Sequence, residues 1–222
     1  MPSLTIENYV KTIYRLGVRQ QNPTASTGKL AELMGVSPGT VTSMLKTLKE
    51  AGLAEYKPYE GVRLTESGRS LALRVLRRHR LIELFLARTL EMSWDEVHEE
   101  AENMEHAVSD LLVDRIDEYL GFPAVDPHGD PIPKPDGSVS YPDRTTLAQW
   151  PVGESFRLTR VLDQSSEFLR YLSETGLSLQ TTGKVLSNHA TSGIIRVLLE
   201  GRETPLSMEV AEKLLVDSHG SD

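Results

Sequence analysis

His98, Glu102, Glu105 and His106 stand at offsets of zero, four, seven and eight in the stretch SWDEVHEEAENMEH, Ser93 to His106. On an α-helix those offsets fall along one side, where residues three and four apart meet. Two imidazoles and two carboxylates in such a row can close on a cation. Carboxylates this close repel one another unless a cation or a proton compensates. A second His/Glu pair at i, i+4 spacing, His79 and Glu83, lies upstream. The competing reading is a solvated acidic helix that happens to contain two histidines; the second pair and the concentration of histidines favour metal binding. The chain has no cysteine, which removes disulfides, thiolate ligands and cysteine nucleophiles. Oxygen and imidazole remain, the donors of a hard or borderline ion.

The elements that must position these residues follow from periodicity. Ser93 and Glu96 make a capping box, and Val97, Ala101 and Met104 form an apolar stripe, so a helix is predicted over 93–106. His79 and Glu83 belong to a long helix opened by Thr65. Its basic middle (Arg74, Arg77, Arg78, Arg80) passes into an apolar end (Leu81, Leu84, Phe85, Leu86), predicted to form a dimer surface. A helix from Ser109, with Leu112, Ile116 and Tyr119 in phase, is expected to complete that surface. Residues 122–142 hold six prolines without a period and read as a linker or an extended ordered loop. His128, within it, reads as a surface-loop histidine, with ligation as the alternative.

The first eighty residues carry a different chemistry. A helix is predicted over 4–18, stopped by Gly17. Thr27 caps a short helix to Met34, and Gly35 supplies a turn. Ser37 then caps a helix that starts at Pro38, buries Val41, Met44, Leu45 and Leu48, and stops at Gly52. Two short helices joined by a Gly turn make a helix-turn-helix, and LAEYKPYEGVRLT, turning through Lys57, Pro58 and Gly61, adds a hairpin wing. A helical hairpin used only for packing is the alternative. Residues 1–80 carry 13 Lys/Arg against 6 Asp/Glu, a local balance of +7, whereas the remaining residues carry −15. A basic front on an acidic chain points to a polyanion partner, here double-stranded operator DNA. The candidate DNA-contacting residues are Thr27, Ser37, Pro38, Gly39, Thr40, Thr42, Ser43, Lys46, Lys49 and Lys57.

From Leu147 the runs SFRLTRVL, TGKVLSNH and GIIRVLLE read as strands of a small barrel, with a helix in DQSSEFLRYLSETGL that turns Phe168, Leu169 and Leu172 inward. At 222 residues the chain supports two or three domains. It shows neither an eighteen-residue apolar run nor an export signal, so a cytoplasmic protein without membrane contact is expected. Gly-rich phosphate loops, a nucleophile elbow and HExxH are missing.

The segments ENYVKTIY, SPGTVTSMLKTLKEAGL, LTESGRSLA, RRHRLIELFL, VHEEAENMEHAVSD and DPHGDPIP occur in this order. Together they make the chain similar, over nearly its whole length, to the diphtheria toxin repressor family of metal-dependent transcriptional regulators. The resemblance implies a mainly α protein with a winged helix-turn-helix in 1–74, a helical metal-binding and dimerisation domain in 75–145 and an SH3-like β-barrel in 146–222. It implies two metal sites per subunit. One would use His79, Glu83 and His98 with Gln164 and Glu167 from the tail; the other would use Glu102, Glu105 and His106 with Asn8 from the first helix. Asn8 departs from the family, which has Met or Asp there, and Lys11 replaces a carboxylate of the short manganese regulators. Glu102 stands where iron-type members have Cys and manganese-type members have Glu, so Mn2+ is the expected ion, with Fe2+ possible. The expected function is a homodimeric repressor that senses Mn2+ or Fe2+. The alternatives are a metallohydrolase built on the His/Glu cluster and a winged regulator not gated by metal.

Overall fold

The computed structural model of the chain describes residues 3–20, 22–142 and 145–218. It divides into two compact units, one formed by Met1–His79, Met104–Ser109 and Pro133–Val139, the other by Arg80–Asn103, Asp110–Ile132 and Ser140–Asp222. Two helices, α4 (Glu66–Thr89) and α5 (Val97–Met104), run on from one into the other along the chain.

In the first unit, α1 (Leu4–Gln20), α2 (Thr27–Met34) and α3 (Pro38–Glu50) pack with a hairpin of β1 (Ala54–Lys57) and β2 (Gly61–Leu64) and with the start of α4. The core is the predicted one except that Met44 is only half-buried: Val41, Leu45 and Leu48 of α3 meet Val10 and Ile13 of α1, Leu30 of α2 and Val62 of the wing. Ser37 accepts the Thr40 amide at 3.2 Å with Pro38 at the first helical position, and Thr65 Oγ1 accepts the Gly68 amide at 3.1 Å. Two expectations change. Ser26, not Thr27, caps α2, accepting the Lys29 amide. Gly17 does not stop α1, which continues for three residues, because the Asn22 amide returns to the Gly17 carbonyl and holds the exit there.

The second unit combines the rest of α4 and α5 with α6 (Asp110–Tyr119) and an antiparallel sheet of six strands. These are β3 (Thr145–Thr146), β4 (Ser155–Val161), β5 (Thr182–His189), β6 (Ile194–Leu199), β7 (Arg202–Ser207) and β8 (Leu214–Asp217), in the order β3-β8-β4-β5-β6-β7. The three predicted strands are β4, β5 and β6, and α7 (Ser166–Glu174) buries Leu169 and Leu172 as expected. A short α8 (Met208–Glu212) leads into β8. The apolar end of α4 is not a free surface: Leu81, Leu84 and Leu86 are buried within the chain. On α6 the predicted stripe divides, with Ile116 buried and Leu112 and Tyr119 exposed beside Leu111. The proline-rich stretch is an ordered loop pinned by the bridge between Val125 and Pro131. His128 within it is fully buried, against the surface position expected, because Trp94 and the loop's own turn enclose it.

Candidate metal centre

The predicted capping box forms in half: Ser93 donates through both its amide and its hydroxyl to Glu96 Oε2, while the Glu96 amide turns to the Ser93 carbonyl and not to its hydroxyl. The helix is shorter than expected, however, ending at Met104, so Glu105 and His106 lie in the turn that follows. That turn directs both side chains into the first unit. His106 Nδ1 is 2.7 Å from Glu7 Oε2, and its Nε2 is 2.8 Å from Asn8 Oδ1 and 3.1 Å from Glu105 Oε1. Glu105 is wholly buried; its Oε2 lies 2.7 Å from His79 Nδ1, and its Oε1 accepts from Lys11 Nζ at 2.5 Å. Expected Asn8, His79, Glu105 and His106 therefore meet, joined by Glu7 and Lys11. The donors are carboxylate, amide oxygen and imidazole, a set that fits Mn2+ or Fe2+. Two buried carboxylates against one ammonium leave negative charge for such an ion to balance.

The second unit holds another group. Glu83 is buried, with Oε1 2.9 Å from His98 Nδ1, and His98 Nε2 is 3.9 Å from Glu102. On its other side stand Asp126 and His128 of the proline-rich loop, buried like Glu83. Asp126 Oδ1 accepts the amides of His128 and Asp130, which closes the loop on itself. Arg80 crosses beneath it to Asp130 at 3.0 Å and to Asp126 at 3.6 Å, and donates to the Pro131 carbonyl. Arg160 of β4 also pairs with Asp130.

This crowding shows in the electrostatics. Burial first, then Asp130 and Glu83, push the Asp126 carboxyl up to about 7. Burial works to lower the His128 ring, but Glu83 and Asp126 outweigh it and hold it at about 9. Burial likewise opposes the charge on Arg80, and Asp130 and Asp126 more than offset it.

The two tail residues expected as ligands sit differently. Gln164 donates its amide to Asp130 at 3.3 Å, and Glu167 is exposed in the first turn of α7. Sequence reasoning missed Glu7, a carboxylate in the first turn of an amphipathic helix that normally faces water, and Asp126, which no periodicity marks.

The candidate DNA-contacting residues are mostly exposed. Ser37, Pro38, Gly39, Thr40, Ser43, Lys46 and Lys49 are exposed on α3, while Thr27 and Thr42 are half-buried. The Thr42 hydroxyl is returned to the Pro38 carbonyl at 2.9 Å. Lys57 is exposed at the wing and pairs with Glu60. No helix among the described residues is long and apolar enough to cross a membrane.

Residues 1–62 match the family model described as iron dependent repressor, N-terminal DNA binding domain; residues 65–134 match the iron dependent repressor metal binding and dimerisation domain, and residues 145–218 the FeoA domain. The iron-dependent repressor IdeR of Mycobacterium leprae is 28% identical over 226 residues, with 96% of each chain covered. The HTH-type transcriptional regulator MntR of Geobacillus kaustophilus is 32% identical over 122 residues, covering 55% of this chain and 84% of its own. A solved structure of a manganese-dependent transcriptional repressor in complex with manganese superimposes with a TM-score of 0.87 at 40% identity, covering 96% of this chain and 99% of that one.

Proposed function

The chain belongs to the iron-dependent repressor family, and on that premise we propose that it is a cytoplasmic, homodimeric repressor whose binding to operator DNA is switched on by Mn2+, with Fe2+ as the second candidate ion. The observation that carries this reading is the first-unit cluster. Glu105 and His106 from the turn after α5 meet Glu7 and Asn8 of α1, so one set of ligands connects the metal-binding segment to the helix on which the winged domain packs. Two ions per subunit are proposed, one held at the first-unit donors Asn8, Glu105 and His106 and the other at the second-unit donors Glu83 and His98.

A bound divalent ion supplies positive charge that lets the carboxylates stay close. Glu7, Asn8 and His106 then hold α1 in one position, and α1 presents α3 at a fixed angle. The exposed Ser37, Thr40 and Ser43 meet base edges or phosphates, and Lys46, Lys49 and Lys57 meet phosphates. Coupling needs differential affinity: a hundredfold preference of the ion for the DNA-competent state contributes about 2.7 kcal/mol per site. A hydrolytic metal centre keeps an open position for substrate. Buried His79, Glu83 and Glu105 suit a switch better than a hydrolase.

The test is fluorescence anisotropy of the metal-stripped chain on duplex DNA selected from its own genome, at fixed salt, titrated with Mn2+, Fe2+ and Zn2+. Tightening of about tenfold or more with Mn2+, lost in His106→Ala, is expected. Equal binding in chelator would overturn the metal switch.

A further inference from the structure

Tyr59 stands at the tip of the wing with its backbone in the left-handed region, at φ +66°. The Glu60 amide donates to the Lys57 carbonyl at 3.2 Å, which closes a turn with Pro58 in its second position and Tyr59 in its third. After a proline, a third position with positive φ is where a turn takes glycine or asparagine. A bulky aromatic residue is strained there. Burial does not offset the strain, since Tyr59 is 107% exposed. Backbone strain kept at a solvent-facing aromatic points to a contact outside the chain. The tip is also firmly placed. The backbones of Ala25 and Val62 exchange hydrogen bonds of 2.8 and 2.9 Å, which tie the wing to the entry of α2. Gly61 presses on the same segment: a Cβ built there would meet the Ala25 carbonyl oxygen at 2.6 Å.

We propose that Tyr59 enters the minor groove of operator DNA beside the half-site that α3 reads, and there selects A·T over G·C pairs. The proposal rests on the reading of the chain as an operator-binding repressor and adds a specificity-determining residue to it; Tyr59 lies within the DNA-binding domain matched at 1–62. Only the major groove is wide enough for a helix, so a tip carried beside α3 faces the adjacent minor groove. Charge favours the ring as the contact. Between Ala54 and Leu64 the wing has two basic and two acidic residues, paired as Lys57 with Glu60 and Arg63 with Glu55. The wing therefore brings no net charge to the duplex. A·T pairs show only acceptors in the minor groove, to which the Tyr59 hydroxyl can donate, and their narrow groove holds a flat ring against the sugars. The N2 amino group of guanine stands in the way of that ring.

The experiment measures anisotropy of the full chain at saturating Mn2+ on its selected duplex, with the pairs flanking each half-site set to A·T, G·C or inosine·C. Inosine lacks the N2 amino group, so inosine·C keeps the major-groove face of G·C while clearing the minor groove. Wild type is expected to bind the A·T and inosine·C duplexes alike, and the G·C duplex about tenfold more weakly. Tyr59→Gly is expected to bind all three at the weaker level, with an unchanged dependence on salt because no charge is removed. Tyr59→Phe keeps the ring and is expected to keep the preference. Thermal melts separate contact from fold: glycine adopts this φ freely, so Tyr59→Gly is expected to melt no lower than wild type. The proposal is overturned if wild type treats the three duplexes alike, if Tyr59→Gly retains the preference, or if Tyr59→Gly melts lower, which would make the ring a support of the fold. Each of these results leaves the repressor reading standing. That reading fails separately if wild-type DNA binding ignores Mn2+.

Discussion

Lys11 places an ammonium inside a cluster whose other members suit a divalent ion. It is buried, 2.5 Å from Glu105 Oε1, while His79 and His106 attend the same carboxylate. A tethered ammonium does part of an ion's work, donating to the buried Glu105 carboxylate, and competes with the ion for that oxygen. Replacing it with methionine leaves Glu105 under-compensated, because breaking a buried pair exposes the desolvation cost of the remaining charge. Lys11→Met is expected to lower metal-free stability by about 3 kcal/mol and to gain a larger rise in melting temperature from saturating Mn2+ than wild type does. Thermal melts with and without Mn2+ check both; a smaller Mn2+ rise in the variant would mean that Lys11 assists the ion instead. At this scale the sequence was readable where candidate ligands repeat at helical spacing, as His98 with Glu102, whose side chains approach to 3.9 Å. It was not readable at Asp126 and His128, which an aperiodic loop brings to Glu83 through a turn closed by Asp126's own carboxylate.

That loop, as an element, is fixed to the sheet at Gly129. Its φ is +84°, and a Cβ built there would meet the Thr159 carbonyl oxygen of β4 at 2.0 Å, a backbone atom that cannot move aside. Gly137 has a similar φ of +81° but open space around it. The pair separates close packing from backbone strain. Gly137→Ala is expected to cost about 1 kcal/mol, and Gly129→Ala about 3 kcal/mol or more because contact is added to strain. Urea unfolding of both variants measures the difference; equal costs would show that the loop does not press on β4. The winged domain was legible because each of its elements carries a local signal: Ser37 and Pro38 at a helix start, alternation through the wing. Strands β3, β7 and β8 carry none. β3 has two residues, β7 is RETPLS with a proline, and β8 is a short run after α8; β3 and β8 owe their state to partners distant in sequence, and β7 to the hairpin it closes with β6.

For the whole molecule, the split of charge and the exposed apolar residues of α6 bear on one question: how an acidic chain holds DNA tightly. The net charge is −8, yet residues 1–80 carry +7, so one winged domain offers a modest number of phosphate contacts and a correspondingly modest, salt-sensitive affinity. Two winged domains joined in a dimer bind adjacent half-sites with the second event made intramolecular. The buried Leu81, Leu84 and Leu86 are spent within the chain, whereas Leu111, Tyr119 and Phe122 lie 69%, 68% and 71% exposed at the two ends of α6. Such residues suit a second copy of the chain, in keeping with the dimerisation domain matched at 65–134. Leu111→Glu combined with Phe122→Glu puts two like charges on each copy where the faces would meet, and touches neither winged domain nor ligand. Sedimentation velocity is expected to find the variant monomeric at concentrations where wild type is dimeric. Its affinity for a two-half-site duplex at saturating Mn2+ is expected to fall by about a hundredfold, with a shallower dependence on salt, since one domain instead of two releases counterions. A dimeric variant with unchanged salt dependence would place the subunit contact elsewhere. A monomeric variant with undiminished affinity would mean that one winged domain suffices, and that the basic front works without its partner.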